Sequence, residues 1–115
     1  MENGLTIEDM KEILQTNPGQ VIVQFSADWC GPCKKIAKYI DAWYLTLPTS
    51  TTQIIKIDID NTLELYAYLK AKKVVQGIPG IIMYRQGNTN VMSPDESISS
   101  SNPDVMQAFF SKCSS

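Results

Sequence analysis

The sequence predicts an α/β domain with a central sheet covered by helices, on three observations. Apolar, β-branched runs at 21–26, 53–59 and 80–85 read as strands of a sheet. Stretches with apolar residues at helical spacing precede, separate and follow them. A Cys30-Gly31-Pro32-Cys33 tetrad stands where the first strand passes into a helix. βαβ units followed by a β-hairpin and a last helix make an α/β sandwich. The chain has 115 residues, which suits one domain over 1–115 with a single core.

The elements follow in order. Residues 1–5 are too short and polar to commit to a strand. Thr6, with Asp9 three residues on, gives a box-like helix start. Ile7, Met10, Ile13 and Leu14 share the apolar face of a helix that reaches about Gln15. Asn17-Pro18-Gly19 is a turn by composition, and it delivers the chain into strand 21–26. A second helix runs from Cys30 or Gly31 to Leu47, where Pro48 stops it. Its packing face is Ile36, Ala37, Ile40, Trp43, Tyr44 and Leu47. Residues 48–52 form a solvated loop. The alternation Ile54-Ile55-Lys56-Ile57-Asp58-Ile59 marks the next strand, with polar residues on one face.

Asn61, with Glu64 after it, caps a third helix containing Leu63, Leu65, Tyr66 and Leu69. The basic end of this helix, through Lys73, suits the negative pole of its dipole. Ile81-Ile82-Met83-Tyr84 carries a strand over 80–85. Gln86-Gly87-Asn88 reads as a hairpin turn into a short strand at 90–92, followed by a serine-rich loop over 93–101. Asn102 caps the last helix, Pro103 occupies its first turn, and Val105, Met106, Phe109 and Phe110 form its apolar face.

Composition excludes several function classes. A net charge of −2 and a pI near 5.0 supply no basic field for nucleic acid or anionic lipid. The apolar runs are far shorter than a membrane span. Met1-Glu2-Asn3-Gly4 lacks the basic and apolar regions of a signal peptide, so a cytoplasmic location is the expectation. Three cysteines, with Cys113 distant from the other two, do not make a disulfide framework.

The tetrad carries the chemistry. A helix N-terminus holds unpaired N–H groups and about half a positive charge, which favour a thiolate over a thiol. Cys30 should lie at that edge, with Cys33 one turn further on the same face and within disulfide reach. Gly31 lets the chain bend tightly, and Pro32 is tolerated because a first-turn N–H has no helical partner to lose. Half of a zinc site is the bland alternative, but zinc needs four ligands. The chain has no histidine and only Cys113 in reserve, so no metal is expected. A structural disulfide is the other alternative, and the missing signal peptide argues against it. In the redox reading Cys30 attacks a substrate disulfide and Cys33 resolves the mixed disulfide, leaving an oxidised Cys30–Cys33 pair.

Trp29-Cys30-Gly31-Pro32-Cys33-Lys34, with Phe25-Ser26-Ala27 before it and Gly77-Ile78-Pro79 downstream, resembles the thioredoxin family from about Val21 to Gly87. The resemblance implies a thioredoxin fold, a central mixed β-sheet flanked by helices on both faces. It implies that Trp29 is a lid beside the dithiol rather than a core aromatic; Asp28 beside it reads simply as a solvated charge. It implies that the Ile78–Pro79 bond is cis, against the base rate for X–Pro bonds. Pro79 should face the dithiol, with the backbone of Ile78 offered to the substrate.

This chain departs from the family pattern at four positions. Lys38 replaces a kinking proline, which predicts a straighter second helix, and Gly80 follows Pro79 where threonine or serine is usual. The segment before Pro79 is longer by a few residues, leaving room for a longer third helix. Gln24 stands where a buried aspartate usually pairs with a lysine that matches Lys56. Gln24 cannot take the proton of a resolving thiol, and an unpaired Lys56 would stabilise a thiolate.

The function implied is a thiol–disulfide oxidoreductase with no bound cofactor. It acts as a monomer on disulfide-containing protein substrates and receives electrons from an NADPH-dependent reductase of the thioredoxin reductase type. Two alternatives stand beside it: a more oxidising disulfide-exchange factor, suggested by Gln24, and a non-catalytic partner subunit binding through Trp29 and Ile78. Cys113 reads as a plain thiol, with a regulatory intermolecular disulfide as its alternative.

Overall fold

A computed structural model describes residues 4–114. Four helices, α1 (Ile7–Gln15), α2 (Gly31–Tyr44), α3 (Leu63–Ala71) and α4 (Pro103–Cys113), surround a four-stranded sheet. Its strands are β1 (Gln20–Ser26), β2 (Thr52–Asp58), β3 (Gly80–Arg85) and β4 (Glu96–Ser99), in the order β2-β1-β3-β4. β1 pairs parallel with β2, Ser26 opposite Asp58. It pairs antiparallel with β3, Phe25 opposite Gly80. β3 and β4 are antiparallel. The end of β1, the end of β2 and the start of β3 therefore meet at one end of the sheet. The expectation for residues 1–5 and the reading of Met1–Gly4 rest mainly on residues outside those described.

Side-chain alternation divides the core into two layers. Val21, Val23 and Phe25 of β1 face one way, with Ile82 and Tyr84 of β3, and are covered by Met10, Leu14, Leu65 and Leu69 from α1 and α3. Ile22, Ile81 and Met83 face the other way, under Ile36, Ile40 and Trp43 of α2 and Met106, Phe109 and Phe110 of α4. In the second layer Trp43 stacks on Phe110 with ring centroids 4.3 Å apart. This is the predicted sheet with helices on both faces.

Three boundaries are corrected. The predicted strand at 90–92 is a turn. The Asn90 N–H donates to Asn88 Oδ1 at 2.9 Å and the Met92 N–H to Asn90 Oδ1 at 3.1 Å, so side chains take the donors a ladder would use. Strand β4 lies instead inside the serine-rich stretch. Thr62, not Asn61, holds the N-cap position of α3 and makes no side-chain cap bond there, because a 3₁₀ turn over Ile59–Asn61 intervenes and Asp58 caps that turn through the Asp60 N–H. α2 ends at Tyr44, three residues before Leu47: the Thr46 and Leu47 N–H groups bond to Trp43 and Tyr44 in tighter turns.

The longer segment before Pro79 does not lengthen α3. Lys73 adopts φ 61°, which turns the chain out of the helix, and Val74 and Val75 then enter the core. Both ends of the predicted Thr6–Asp9 box are made, at 3.1 and 3.0 Å.

Candidate redox site

The site assembles where β1, β2 and β3 meet. Cys30 is the N-cap of α2, in extended geometry, and its Sγ accepts the Cys33 N–H at 3.1 Å. Cys30 and Cys33 are joined by a disulfide with Cα atoms 5.3 Å apart. Both are nearly covered, at 4% and 7% exposure, so the pair sits in the surface rather than on it. Helix starts usually attract acids. The first turn of α2 has none, and exposed Lys34 and Lys35 follow Cys33 directly. The field at Cys30 Sγ from this helix is therefore positive, which lowers the cost of a thiolate there. Pro32 lies in the first turn, as expected. Gly31 does not have left-handed φ, and a Cβ on it would meet nothing within 4 Å. The bend thus needs no glycine, which corrects the sequence reading; what Gly31 leaves is open space beside Cys30.

Trp29 is 66% exposed, and its Nε1–H donates to Asp60 Oδ2 at 2.8 Å. The 3₁₀ turn after β2 thereby ties down the indole of the residue that precedes Cys30. Nothing local in the sequence points to Asp60, which lies 31 residues away. Asp28 is exposed, as expected of a solvated charge.

The Ile78–Pro79 bond is cis, at the start of β3. Ile78 packs against the same core cluster that contains Cys30 and Cys33. Gly80 has a steric reason that the sequence did not show. A Cβ there would run into the Gly77 carbonyl oxygen and come within 2.9 Å of Val75 Cγ2. Ser99 Oγ holds that fold closed, accepting the Gly77 N–H and donating to the Gly77 carbonyl, each at 3.2 Å.

Gln24 and Lys56 are register partners on β1 and β2, but their contacts differ from those expected. Tyr44 Oη donates to Gln24 Oε1 at 2.7 Å. Burial above all, with the charges of Asp41 and Cys113 after it, raises the Tyr44 pKa far above that of a free phenol. It therefore stays a donor at any working pH. Lys56 Nζ is 3.5 Å from Asp41 and 5.6 Å from the Tyr44 ring centroid. Lys56 is thus paired, which corrects the unpaired cation of the sequence reading.

Cys113 is buried at the end of α4, and among the described residues it is the free cysteine. Burial, then Glu96, pushes its pKa up to about 12, against a downward pull from Arg85. No group of three or more metal-ligating side chains occurs among the described residues. Nor is any described helix long and apolar enough to cross a membrane.

The thioredoxin family profile matches residues 3–112. Thioredoxin of Chlamydia trachomatis is 36% identical over 72 residues, which are 60% of this chain and 62% of that protein. Thioredoxin-1 of Schizosaccharomyces pombe is 33% identical over 88 residues, 76% of this chain and 75% of that one. The X-ray structure of Fasciola hepatica thioredoxin superposes with a TM-score of 0.69 at 25% identity, covering 97% of this chain and 98% of that one. With a bonded Cys-Gly-Pro-Cys pair at a helix N-terminus and a cis proline at the same end of the sheet, the chain belongs to the thioredoxin family.

Proposed function

We propose that the protein is a thiol–disulfide oxidoreductase that reduces protein disulfides through Cys30 and Cys33. The observation that carries this is the disulfide at the start of α2, with the Cys33 N–H on Cys30 Sγ and no acid in the first turn. In the reduced protein that donor and the helix dipole stabilise a Cys30 thiolate. The thiolate attacks one sulfur of the substrate disulfide. That S–S bond breaks, a mixed disulfide forms, and the first substrate thiolate leaves and takes a proton. Cys33, deprotonated, then attacks Cys30 Sγ and expels the second substrate thiolate. Two electrons pass to the substrate, and the protein is left with the Cys30–Cys33 bond. Gln24 has no basic group to offer Cys33, so water takes that proton.

The exposed Trp29 face and the backbone at Ile78–Pro79 are the contact surface for the substrate chain. An NADPH-dependent flavoprotein reductase returns the electrons, and the protein works as a cytoplasmic monomer. The Lys56–Asp41 pair removes part of the argument for a more oxidising couple, because the cation is already compensated.

The test is reduction of insulin with dithiothreitol as electron source, together with trapping. Wild type should precipitate the insulin B chain. Cys33→Ser should accumulate mixed disulfides with substrate, and Cys30→Ser should form none. Inactive wild type, or equal trapping by both variants, refutes the reading and favours a non-catalytic subunit.

A further inference from the structure

A second surface feature shares the redox end of the sheet. Between the starts of α1 and α3 lies an open groove of about 590 Å³. Leu5 and Ile7 form one wall, and Leu63, Leu65 and Tyr68 the other. The Gly4 N–H donates to the Asn61 carbonyl at 3.2 Å and ties the walls together. Leu63 is 62% exposed and Tyr68 44%, two of the few large apolar residues left in water among those described. Exposed apolar surface rimmed by polar residues is where contact sites are found.

Charge selects the occupant. Among the described residues Glu8, Asp60 and Glu64 line the groove, and no lysine or arginine does. Glu8 and Glu64 also lie in the first turns of their helices, where the dipole favours them. That accounts for two acids but not for the apolar wall between them. Lysines approach only particular members: Lys11 reaches Glu8 at 3.4 Å, and Lys72 Nζ lies 5.7 Å from the Tyr68 ring centroid. Asp60 makes the groove continuous with the dithiol, because the same carboxylate holds Trp29, the neighbour of Cys30.

We propose that this groove docks a segment of the disulfide-bearing partner in which basic residues flank an apolar one. The inference rests on the oxidoreductase reading and narrows its substrate class. The apolar side chain covers Leu63 and Tyr68, and the basic ones face Glu8, Asp60 and Glu64. Binding of this kind lowers KM and raises the association rate more than it changes the chemical step.

The test uses synthetic peptides with one intramolecular disulfide and a three-residue extension, Lys-Leu-Lys or Glu-Leu-Glu, placed before or after the ring. For at least one placement, wild type should reduce the lysine peptide with a KM about tenfold lower. Raising salt from about 50 mM to about 500 mM should remove most of that advantage. Leu63→Ser should raise KM for the lysine peptide, and Glu64→Lys should reverse the preference. Reduction of 5,5′-dithiobis(2-nitrobenzoate), which is too small to use the groove, should be the same in all three proteins. Equal KM values for both peptides in both placements, with that small disulfide still reduced, overturn the groove alone. Loss of small-disulfide reduction in wild type overturns the oxidoreductase reading and the docking with it. A dimer in sedimentation that Leu63→Ser abolishes also overturns the proposal, since a second copy then fills the groove.

Discussion

Replacing Tyr44 by Phe removes one oxygen and leaves the ring in place, so it isolates the Tyr44–Gln24 hydrogen bond. The ring keeps its neighbour Trp43, 5.4 Å away, and the Lys56 ammonium at 5.6 Å. What is lost is a 2.7 Å bond between two partly buried groups. A neutral hydrogen bond contributes about 1 kcal/mol net, and a covered acceptor left without its donor costs about 1 kcal/mol more. Tyr44→Phe should therefore lower stability by about 1–2 kcal/mol, or lower Tm by roughly 4–8 °C for a domain of this size. Adding Gln24→Met removes the orphaned acceptor while keeping the side-chain length. The double variant should recover about half of the loss or more, because deleting both partners is nearly neutral. Urea unfolding of the oxidised protein, followed by far-UV circular dichroism, measures both effects. A Tyr44→Phe protein within 0.3 kcal/mol of wild type, or strictly additive losses in the double variant, refutes this account.

Three further outcomes can be checked directly. With its pKa pushed up to about 12, Cys113 should resist iodoacetamide at pH 8 in the native oxidised protein and react once urea unfolds it. A raised thiol pKa contributes stability that is full below the unfolded value near 8.5 and is lost as pH rises toward 12. Cys113→Ala should flatten that alkaline decline in an unfolding series, and native labelling at the rate of a free thiol would contradict both expectations. Lys73 spends backbone energy at φ 61°, so Lys73→Gly should raise stability by about 0.5–1 kcal/mol in thermal unfolding, whereas a β-branched residue there should lower it. A destabilised glycine variant would refute that assignment.

The chain announced its fold wherever local chemistry and tertiary position agree. The Thr6–Asp9 box, the Asn102 cap with Pro103 behind it, and the 80–85 run each act within a few residues, and each forms as expected. The dithiol was legible for the same reason, since strand, cap and helix are contiguous. Contacts that decide the surroundings of the site are not local. Trp29 meets Asp60 across 31 residues, and Tyr44 reaches Gln24 across 20, so periodicity and motif give no hint of either. The strand at 96–99 was hidden because serine has little strand preference of its own; pairing with β3 imposes it. Gly80 looked like a departure from the family pattern, yet it follows from the way Gly77 folds back above it.

Among the described residues the sheet has two borders, and they differ in risk. β4 is four residues long, too short to recruit another chain readily, whereas β2 is seven and carries three isoleucine or aspartate positions that are largely covered. An open row of amides beside apolar residues is the usual starting point for strand-to-strand aggregation. Lys56 stands in that row, held by Asp41 at its ammonium end. An incoming strand would have to lie alongside that charge or displace it from its partner. Lys56, which drew notice only as the neighbour of Gln24, thus puts on the long edge strand the kind of charge that disfavours pairing with another chain.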